Sequence, residues 1–346
     1  MSGRPVLQTD RRAAAAQQRG LAESSGTRTA AALVGGRRVL QATRRASVIQ
    51  QRGLAETTTP RTAAASAAVQ LKQKIEPSKD QYWAVMDGNE AASYVAYGMS
   101  DISFIYPISP ATSMGEHMDK WASANKKNIL GQVVDVNMMQ SEAGAAGALH
   151  GAAAAGSLTS TFTASQGLLL MIPNMYLLAG ELVPAVFHVS ARTVSKHALS
   201  IFNDHSDVMA ARQTGFAMMA SSSVQEVMDL GMASHIASLK SRLPFLHFFD
   251  GYRTSAEMSK IQVIPYEDMA RIFPNELVKE HLHKYALNPY HPMIRGTGQR
   301  PDIFFQSTVA ANKYYQACPD VVEEVFQEVE ALTGRKYDLF KYHGSP

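Results

Sequence analysis

From residue 102 onward, short apolar runs alternate with segments that have the composition of helices, and this alternation constrains the fold more than any other feature. We predict strands over 102–108, 129–136, 158–164, 183–190, 216–220 and 245–249. Helices are predicted over 111–125, 141–156, 167–179 and 224–242. Strands that alternate with helices form a parallel sheet with helices on both faces. The predicted fold class is therefore α/β.

Three polar residues fall where a strand ends or a helix begins. Ser109 follows the first strand, Glu142 lies at the start of helix 141–156, and Arg192 follows strand 183–190. Ligands of parallel α/β sheets bind beyond the carboxyl ends of the strands. We therefore expect these three residues to converge on one site.

Glu142 begins the small-residue sequence EAGAAGALHG, which allows two interpretations. An acid at a helix N-terminus stabilises the helix by about 0.3–1 kcal/mol, and this alone could explain the residue. Alternatively, Glu142 is a catalytic carboxylate. Gly144, Gly147 and Gly151 each disfavour a helix by about 1 kcal/mol relative to Ala, so we expect a neighbouring helix or a flat ligand to pack closely there.

Arg192 and Ser109 also have two interpretations each. The Arg192 guanidinium can bind a carboxylate through two parallel hydrogen bonds, or it can form a structural ion pair. The Ser109 hydroxyl can contact a ligand, or it can cap the helix predicted after it.

The sequence offers little support for metal or nucleotide chemistry. The histidines at 150, 188, 281 and 283 show no metal-ligand spacing with acids and are interpreted as core or surface residues. No GxSxG, Walker A or GxGxxG motif is present. The single cysteine, Cys318, excludes an intrachain disulfide, a Cys-ligated zinc site and an iron–sulfur cluster held by this chain alone.

Residues 1–78 differ in composition from the rest of the chain. Up to residue 70 there are eleven arginines and no lysine against three acids, and no aromatic residue precedes Tyr82. Such a segment cannot bury enough apolar surface to fold, so we predict a disordered leader. Its composition is typical of a transit peptide, and it contains a 33-residue repeat beginning at Arg11 and Arg44. We expect mitochondrial import, with another organelle or the cytoplasm as alternatives.

The rest of the chain is mildly acidic. The net charge is +3 overall and +8 over residues 1–70, which leaves −5 for the remainder, so no basic surface for nucleic acid is expected. No apolar run approaches the ~18 residues that a membrane span needs. We predict one domain over 79–332, closed by an amphipathic helix over 319–333, and the beginning of a further domain over 333–346.

Four long motifs resemble one enzyme family: YPISPATSMGEHMDKW, QSEAGAAGALHGAAAAGS, HVSARTVSKHALSIFNDHSDVMAARQTG and PFLHFFDGYRTSAE. They are similar to the N-terminal, pyrimidine-binding domain of pyruvate:ferredoxin/flavodoxin oxidoreductases, which also occurs in the fused pyruvate:NADP oxidoreductases. The resemblance extends over residues 82–346 and does not include the leader. It implies a thiamine-diphosphate-binding type of parallel sheet and the oxidative decarboxylation of pyruvate to acetyl-CoA.

The resemblance also implies roles for individual residues. Glu142 would contact the aminopyrimidine of thiamine, where a carboxylic acid on a ring nitrogen favours the imino tautomer. Arg192 would bind the pyruvate carboxylate, Ser109 would contact the substrate, and Pro107 would lie against the cofactor. The family usually has Thr at the position of Ser109, so the hydroxyl is kept and a methyl group is lost.

Several family motifs are absent from this sequence. These are the GDG motif for diphosphate and magnesium, the Cys-rich cluster motifs and a flavin reductase module. The resemblance therefore implies that magnesium and iron–sulfur clusters belong to other domains or subunits. It implies CoA as a substrate, ferredoxin, flavodoxin or NADP as electron acceptor, and a homodimer. The alternatives are a truncated non-catalytic homologue and a related 2-oxoglutarate oxidoreductase subunit.

Overall fold

The computed structural model describes residues 75–342 together with Gly344 and Ser345. Nearly all of the predicted leader, with its repeat, lies outside the described residues. Its disorder and its targeting role stay predictions.

Eight strands and nine α-helices occur in the described part of the chain. The strands are β1 (Tyr82–Met86), β2 (Ile102–Ile105), β3 (Asp135–Met138), β4 (Thr159–Thr163), β5 (Val186–Ala191), β6 (Ala217–Ser221), β7 (Phe245–Asp250) and β8 (Ser259–Val263). The helices are α1 (Gly88–Met99), α2 (Thr112–Ser123), α3 (Glu142–Ala154), α4 (Ser165–Gly180), α5 (Ser206–Ala211), α6 (Val224–Ser241), α7 (Tyr266–Ile272), α8 (Asn275–Lys284) and α9 (Pro301–Thr333).

Six strands form one parallel sheet in the order β3-β2-β4-β5-β7-β6. Successive side chains of a strand point to opposite faces, and the core is divided accordingly. In β5, Phe187 and Val189 pack with α3, α4 and α5, whereas Val186 packs with the cluster formed by α1, α2, α6 and α9. The predicted parallel sheet with helices on both faces is confirmed.

The direction of strand addition reverses beside β2. The chain adds β3 on one side of β2 and then crosses to add β4 on the other side. In open α/β sheets such a reversal leaves a crevice at the carboxyl ends of the two strands, where ligands bind. The loops after β2 and β4 border this crevice, and so does the loop after the neighbouring β5.

The predicted strand over 129–136 is misplaced, because the ladder begins only at Asp135. The Asn128 side chain accepts hydrogen bonds from the backbone N–H groups of Leu130 and Gln132, at 3.0 and 2.9 Å. Gly131 has a φ of +78°, which favours glycine. These contacts form a turn, so the apolar residues at 129 and 130 precede the strand.

Two other elements differ from the prediction. The helix predicted over 319–333 is α9, which begins eighteen residues earlier at Pro301 and continues through Pro319. The strands β1 and β8, which were not predicted, form a separate antiparallel pair. Within the described part of the chain, no helix has both the length and the apolar character needed to cross a membrane.

Candidate functional site

The three residues that the sequence places at strand ends lie at the same edge of the parallel sheet. Arg192 follows β5 directly, Ser109 lies in the loop after β2, and Glu142 is the first residue of α3, four residues after β3. The loop after β4 lies between them and opens α4 with Ser165, Gln166 and Gly167. This first turn of α4 contacts both Arg192 and Glu142.

Arg192 is buried, with 5% of its surface exposed, yet its guanidinium has no acidic partner among the described residues. Nη1 donates to the carbonyl oxygen of Ser109 at 2.6 Å, and Nη2 donates to Oε1 of Gln166 at 3.0 Å. Nε is buried and donates to no described atom. Burial lowers the pKa of the guanidinium, and the carboxylate of Asp207 opposes that shift. The ion-pair interpretation of Arg192 is therefore wrong for the described residues.

Asp207 fixes the backbone on both sides of the hydrogen bond between Gln166 and Arg192. Its Oδ2 accepts from the backbone N–H groups of Ser165 at 2.8 Å and Arg192 at 2.9 Å, and its Oδ1 accepts from Val208 at 2.7 Å. Ser165 has a left-handed φ of +48°, a conformation that a side chain disfavours by about 1 kcal/mol or more. The buried carboxylate thus stabilises a strained turn. Burial raises the pKa of Asp207, and these backbone hydrogen bonds counteract the rise.

Glu142 is also buried, with 7% exposure, at the N-terminus of α3. Ser141 caps that helix by accepting from the Gly144 N–H at 3.1 Å, so the Glu142 side chain is not needed as a cap. No hydrogen bond among the described residues involves its carboxylate. The position in the first turn is also the one that the helix-stabilisation interpretation requires.

Gly167 provides the space that Glu142 occupies. A Cβ at Gly167 would lie 2.9 Å from both Cγ and Oε1 of Glu142 and 2.5 Å from Oγ1 of Thr163. The Thr163 hydroxyl is buried and has no hydrogen-bond partner in the described part of the chain. A carboxylate and a hydroxyl, neither of them hydrogen-bonded to another described residue, therefore lie together at the end of β4.

The glycines of α3 do not have the packing role that their sequence suggests. A Cβ at Gly144 or Gly147 would meet its nearest atom at 3.5 or 3.9 Å, and at Gly151 it would meet nothing within 4 Å. Among the described residues, no neighbouring helix therefore packs closely enough at these three positions to require glycine, and the alternative of a flat ligand stays a prediction.

Ser109 and Pro107 are exposed in the loop after β2. Ser109 does not cap α2, which begins at Thr112 without a side-chain cap, so the capping interpretation is wrong. Its carbonyl oxygen, rather than its hydroxyl, contacts Arg192. Pro107 borders a cleft that Tyr106, Glu116 and Met138 also line.

Asn89 holds this loop against the sheet. Its amide Nδ2 donates to the Pro110 carbonyl at 2.7 Å and to the Ser113 hydroxyl at 2.8 Å. Its Oδ1 accepts from the Ser190 hydroxyl on β5 at 2.8 Å. The loop is therefore fixed to β5, the strand that Arg192 follows directly.

A separate polar cluster is buried under the sheet. His188 Nε2 lies 3.1 Å from His235 Nε2, and His188 Nδ1 lies 2.9 Å from His247 Nδ1. His247 Nε2 lies 2.8 Å from the Ser221 hydroxyl. Burial lowers the pKa of all three imidazoles, to about 3 for His235 and His247. Within the described residues, no group of three or more His, Cys, Asp or Glu side chains could hold a metal ion.

Comparison with known proteins identifies the family. Residues 94–327, about two thirds of the chain, match the family model described as pyruvate flavodoxin/ferredoxin oxidoreductase, thiamine diphosphate-binding. The chain belongs to this family. The resemblance inferred from the motifs is confirmed, and the pyruvate oxidoreductase match includes Glu142, Arg192, Ser109 and Pro107.

Individual pyruvate oxidoreductases are highly similar to the chain. It is 61% identical over 261 residues to a pyruvate:ferredoxin oxidoreductase of Moorella thermoacetica, over 75% of this chain and 22% of that protein. It is 55% identical over 271 residues to a mitochondrial NADP-dependent pyruvate dehydrogenase of Euglena gracilis, over 78% of this chain and 15% of that protein. The chain thus spans about a fifth or less of the length of these relatives, in their N-terminal portion.

A solved structure has the same fold. A 2-oxoglutarate:ferredoxin oxidoreductase from Magnetococcus marinus aligns with a TM-score of 0.57 over 70% of this chain and 46% of that chain. Its sequence is 15% identical, so this likeness supports the α/β fold of thiamine-diphosphate-binding type and nothing finer.

Sequence reasoning missed three residues of the candidate site: Gln166, Gly167 and Asp207. The first two could have been found, because they follow a predicted strand just as Arg192 does. Asp207 lies fifteen residues after Arg192, beyond a loop, and no spacing rule relates the two.

Proposed function

We propose that this chain supplies the aminopyrimidine and substrate contacts of a thiamine-diphosphate-dependent pyruvate oxidoreductase that forms acetyl-CoA. One observation carries the proposal. Among the residues that the structure describes, a buried guanidinium without an acidic partner and a buried carboxylate without a hydrogen-bond donor flank the same turn of α4. Buried charges are normally paired, so both groups are suited to ligands of complementary chemistry.

The residues fit the cofactor that the family name specifies. Glu142 would hold a ring nitrogen of the aminopyrimidine, and its shallow burial leaves the carboxylate within reach of a flat ligand. Bound thiamine diphosphate supplies a carbon nucleophile for the 2-oxo acid. Glu142 would exchange a proton with the ring nitrogen, Pro107 would border the ring, and Ser109 would offer its hydroxyl to the substrate.

Arg192 would bind the substrate carboxylate. Two of its nitrogens already donate to Ser109 and Gln166, which fixes the plane of the guanidinium. Its remaining N–H groups are available for a carboxylate, and a charge-assisted hydrogen bond there holds the carboxylate that leaves as carbon dioxide. A fixed cation also loses little entropy when the substrate binds.

The rest of the active site lies outside these residues. We place the diphosphate and magnesium contacts, the iron–sulfur clusters, the CoA contacts and the electron-acceptor site on other domains or subunits, in line with the short span of the alignments. A homodimer and mitochondrial import belong to the same proposal. The Arg-rich leader and the mitochondrial Euglena relative support the import.

The test is the release of labelled carbon dioxide from [1-¹⁴C]pyruvate by the native assembly that contains this chain. We expect Glu142→Gln and Arg192→Ala each to lower the rate by at least about a hundredfold. Glu276→Gln and Arg300→Ala change exposed residues of the same types and should retain the wild-type rate.

Three outcomes would overturn the proposal. If the wild type and both variants are equally inert, the chain is a non-catalytic homologue. If 2-oxoglutarate is decarboxylated and pyruvate is not, the substrate assignment is wrong. If both variants retain full activity, the site assignment is wrong.

A further inference from the structure

Gln166 connects the two halves of the candidate site. It is the second residue of α4, between Ser165, which Asp207 holds, and Gly167, which makes room for Glu142. Its Oε1 accepts from Nη2 of Arg192 at 3.0 Å and lies 2.5 Å from the Ser165 hydroxyl. Both of those groups can donate, so the amide oxygen, and not the amide nitrogen, faces the guanidinium.

The other end of the amide is also held. Nε2 of Gln166 lies 3.4 Å from the carbonyl oxygen of Ser195, in the loop that follows Arg192. The Ser165 hydroxyl lies 2.9 Å from the carbonyl oxygen of Thr193 in the same loop. The side chain of Gln166 therefore fixes the guanidinium relative to the turn that lies against Glu142.

The contacts of Arg192 position its charge without neutralising it. Both groups that accept hydrogen bonds from the Arg192 side chain are neutral. One is the backbone carbonyl of Ser109 and the other is the amide of Gln166. Asp207 is the acid whose charge influences Arg192. Its oxygens accept hydrogen bonds from three backbone N–H groups and not from the guanidinium. A carboxylate in place of the Gln166 amide would keep the hydrogen bond and compensate the cation.

We propose that Gln166 is a positioning residue whose neutral amide keeps Arg192 both fixed and uncompensated, so that the cation is available to the carboxylate of a 2-oxo acid. The inference rests on the proposed role of Arg192 in binding that carboxylate. It adds that the charge at position 166, and not only the size of the side chain, determines the affinity for the substrate.

The test compares Gln166→Glu and Gln166→Met with the wild type in the native assembly, with KM and kcat for pyruvate measured from pH 5 to pH 8. Gln166→Glu preserves the shape of the side chain. We expect its KM to be raised by about tenfold to a hundredfold at pH 8, with kcat within about threefold of the wild type, because ground-state and transition-state binding weaken together. Because the introduced carboxylate pairs with Arg192, its pKa falls below the ordinary value of about 4.3, so the KM of Gln166→Glu should stay above those of the wild type and of Gln166→Met throughout this pH range.

Gln166→Met separates fixation from charge. It removes the acceptor and adds no charge, so its KM should rise to an extent that does not vary with pH beyond the wild-type profile. Gln132→Glu adds the same charge at an exposed position and should leave KM unchanged. Circular dichroism and thermal melting establish that each variant is folded.

The inference and the proposed function fail in different ways. If the wild type decarboxylates pyruvate, Arg192→Ala does not, and Gln166→Glu has the wild-type KM at every pH, the inference on Gln166 is wrong and the proposed function survives. A KM of Gln166→Glu no higher than that of Gln166→Met also overturns the inference, since the added charge then contributes nothing beyond the loss of fixation. If Arg192→Ala equals the wild type, the proposed function fails and the inference fails with it.

Discussion

At the start of α4, Gly167 lies where any side chain would meet the Glu142 carboxylate and the Thr163 hydroxyl. The glycine is needed for space and not for an unusual φ. A protein interior is close-packed, so even one methyl group at this point must displace a neighbour. The neighbours that would move are the Thr163 hydroxyl and Glu142, the proposed cofactor ligand.

We expect Gly167→Ala to lower the free energy of unfolding by about 1–3 kcal/mol, because the added Cβ overpacks the end of β4. It should also reduce decarboxylation by shifting Glu142. Urea denaturation and the labelled-pyruvate assay measure the two effects.

Gly151→Ala is the matched control for that variant. Nothing lies within 4 Å of its added Cβ, and alanine in a helix is favoured over glycine by about 1 kcal/mol. It should therefore be neutral or stabilising. If Gly167→Ala is as stable and as active as Gly151→Ala, the packing argument for Gly167 is wrong.

At the scale of the elements, Lys126 joins three helices through a cage of aromatic rings. Its Nζ lies 4.4 Å from the ring centroid of Trp121 on α2 and 4.6 Å from those of Tyr94 on α1 and Tyr266 on α7. The Tyr97 hydroxyl on α1 donates to the Lys126 carbonyl at 2.5 Å. The ammonium group of Lys126 therefore links α1, α2 and α7.

Lys126→Met should lower the free energy of unfolding by about 1–2 kcal/mol, the value of a partly desolvated cation–π contact. Methionine keeps most of the apolar stem of lysine, so the loss of stability measures the contribution of the positive charge. Lys127→Met changes the exposed neighbour and should have an effect below about 0.5 kcal/mol. Equal effects of the two substitutions, measured by chemical denaturation, would show that the cage contributes nothing.

The buried histidines join β5, β7 and α6, and they predict sensitivity to acid. Their pKa values are lower in the folded state than the ordinary value near 6.5, so below that pH the unfolded chain binds more protons than the folded chain. Stability should therefore fall as the pH drops from about 6.5 toward 3. Each histidine contributes a slope of about 1.4 kcal/mol per pH unit within that window.

His235→Gln should make this pH dependence shallower by about one proton, because the amide does not titrate. Urea denaturation at a series of pH values between 7 and 5 measures the slope. His283→Gln, at an exposed histidine, should leave the slope unchanged. A wild-type slope in His235→Gln would exclude this cluster as the source of the acid sensitivity.

At the scale of the whole molecule, the segment after α9 is fastened to the body of the described region by one buried ion pair. Arg335 donates from Nε and Nη2 to the two carboxylate oxygens of Asp229 on α6, at 2.5 and 2.9 Å. The Tyr337 hydroxyl donates to the same carboxylate at 2.6 Å. Asp229 is fully buried, so its charge depends on these partners. The boundary predicted at residue 333 stays a prediction.

Arg335→Met should lower the free energy of unfolding by about 3–5 kcal/mol, because it leaves a buried carboxylate without its cation. Asp229→Leu combined with Arg335→Met should recover part of that loss, since no charge is then left unpaired. Both are measured by urea denaturation. A double variant no more stable than Arg335→Met alone would contradict this explanation.

Much of the central sheet could be predicted from the sequence, because most of its strands are short runs of apolar or β-branched residues between helical segments. β3 was misplaced because one side chain, that of Asn128, converts apolar residues into a turn. α9 was cut short at Pro319, although the apolar stripe after that proline packs on the core and offsets the lost backbone bond. Local rules do not include such tertiary compensation.

The site could be predicted only in part. Glu142, Arg192 and Ser109 were expected at one edge, and the structure places all three there. The contacts that orient Arg192 come from Gln166 and Asp207, which belong to other loops. Contacts between distant loops depend on the register of the strands, and local patterns in a single sequence do not reveal that register.

The pairing of β1 with β8 has a consequence for how the chain folds as it is synthesised. Trp83 is paired with Gln262, so the two strands lie at opposite ends of the stretch that contains the whole parallel sheet. Neighbouring parallel strands are also far apart in sequence, with Ile102 beside Thr159 and Phe187 beside Leu246. Contacts of such long sequence separation form slowly. Residue 263 must leave the ribosome before β8 can pair with β1. Strand β1 therefore has no partner strand while most of the domain assembles.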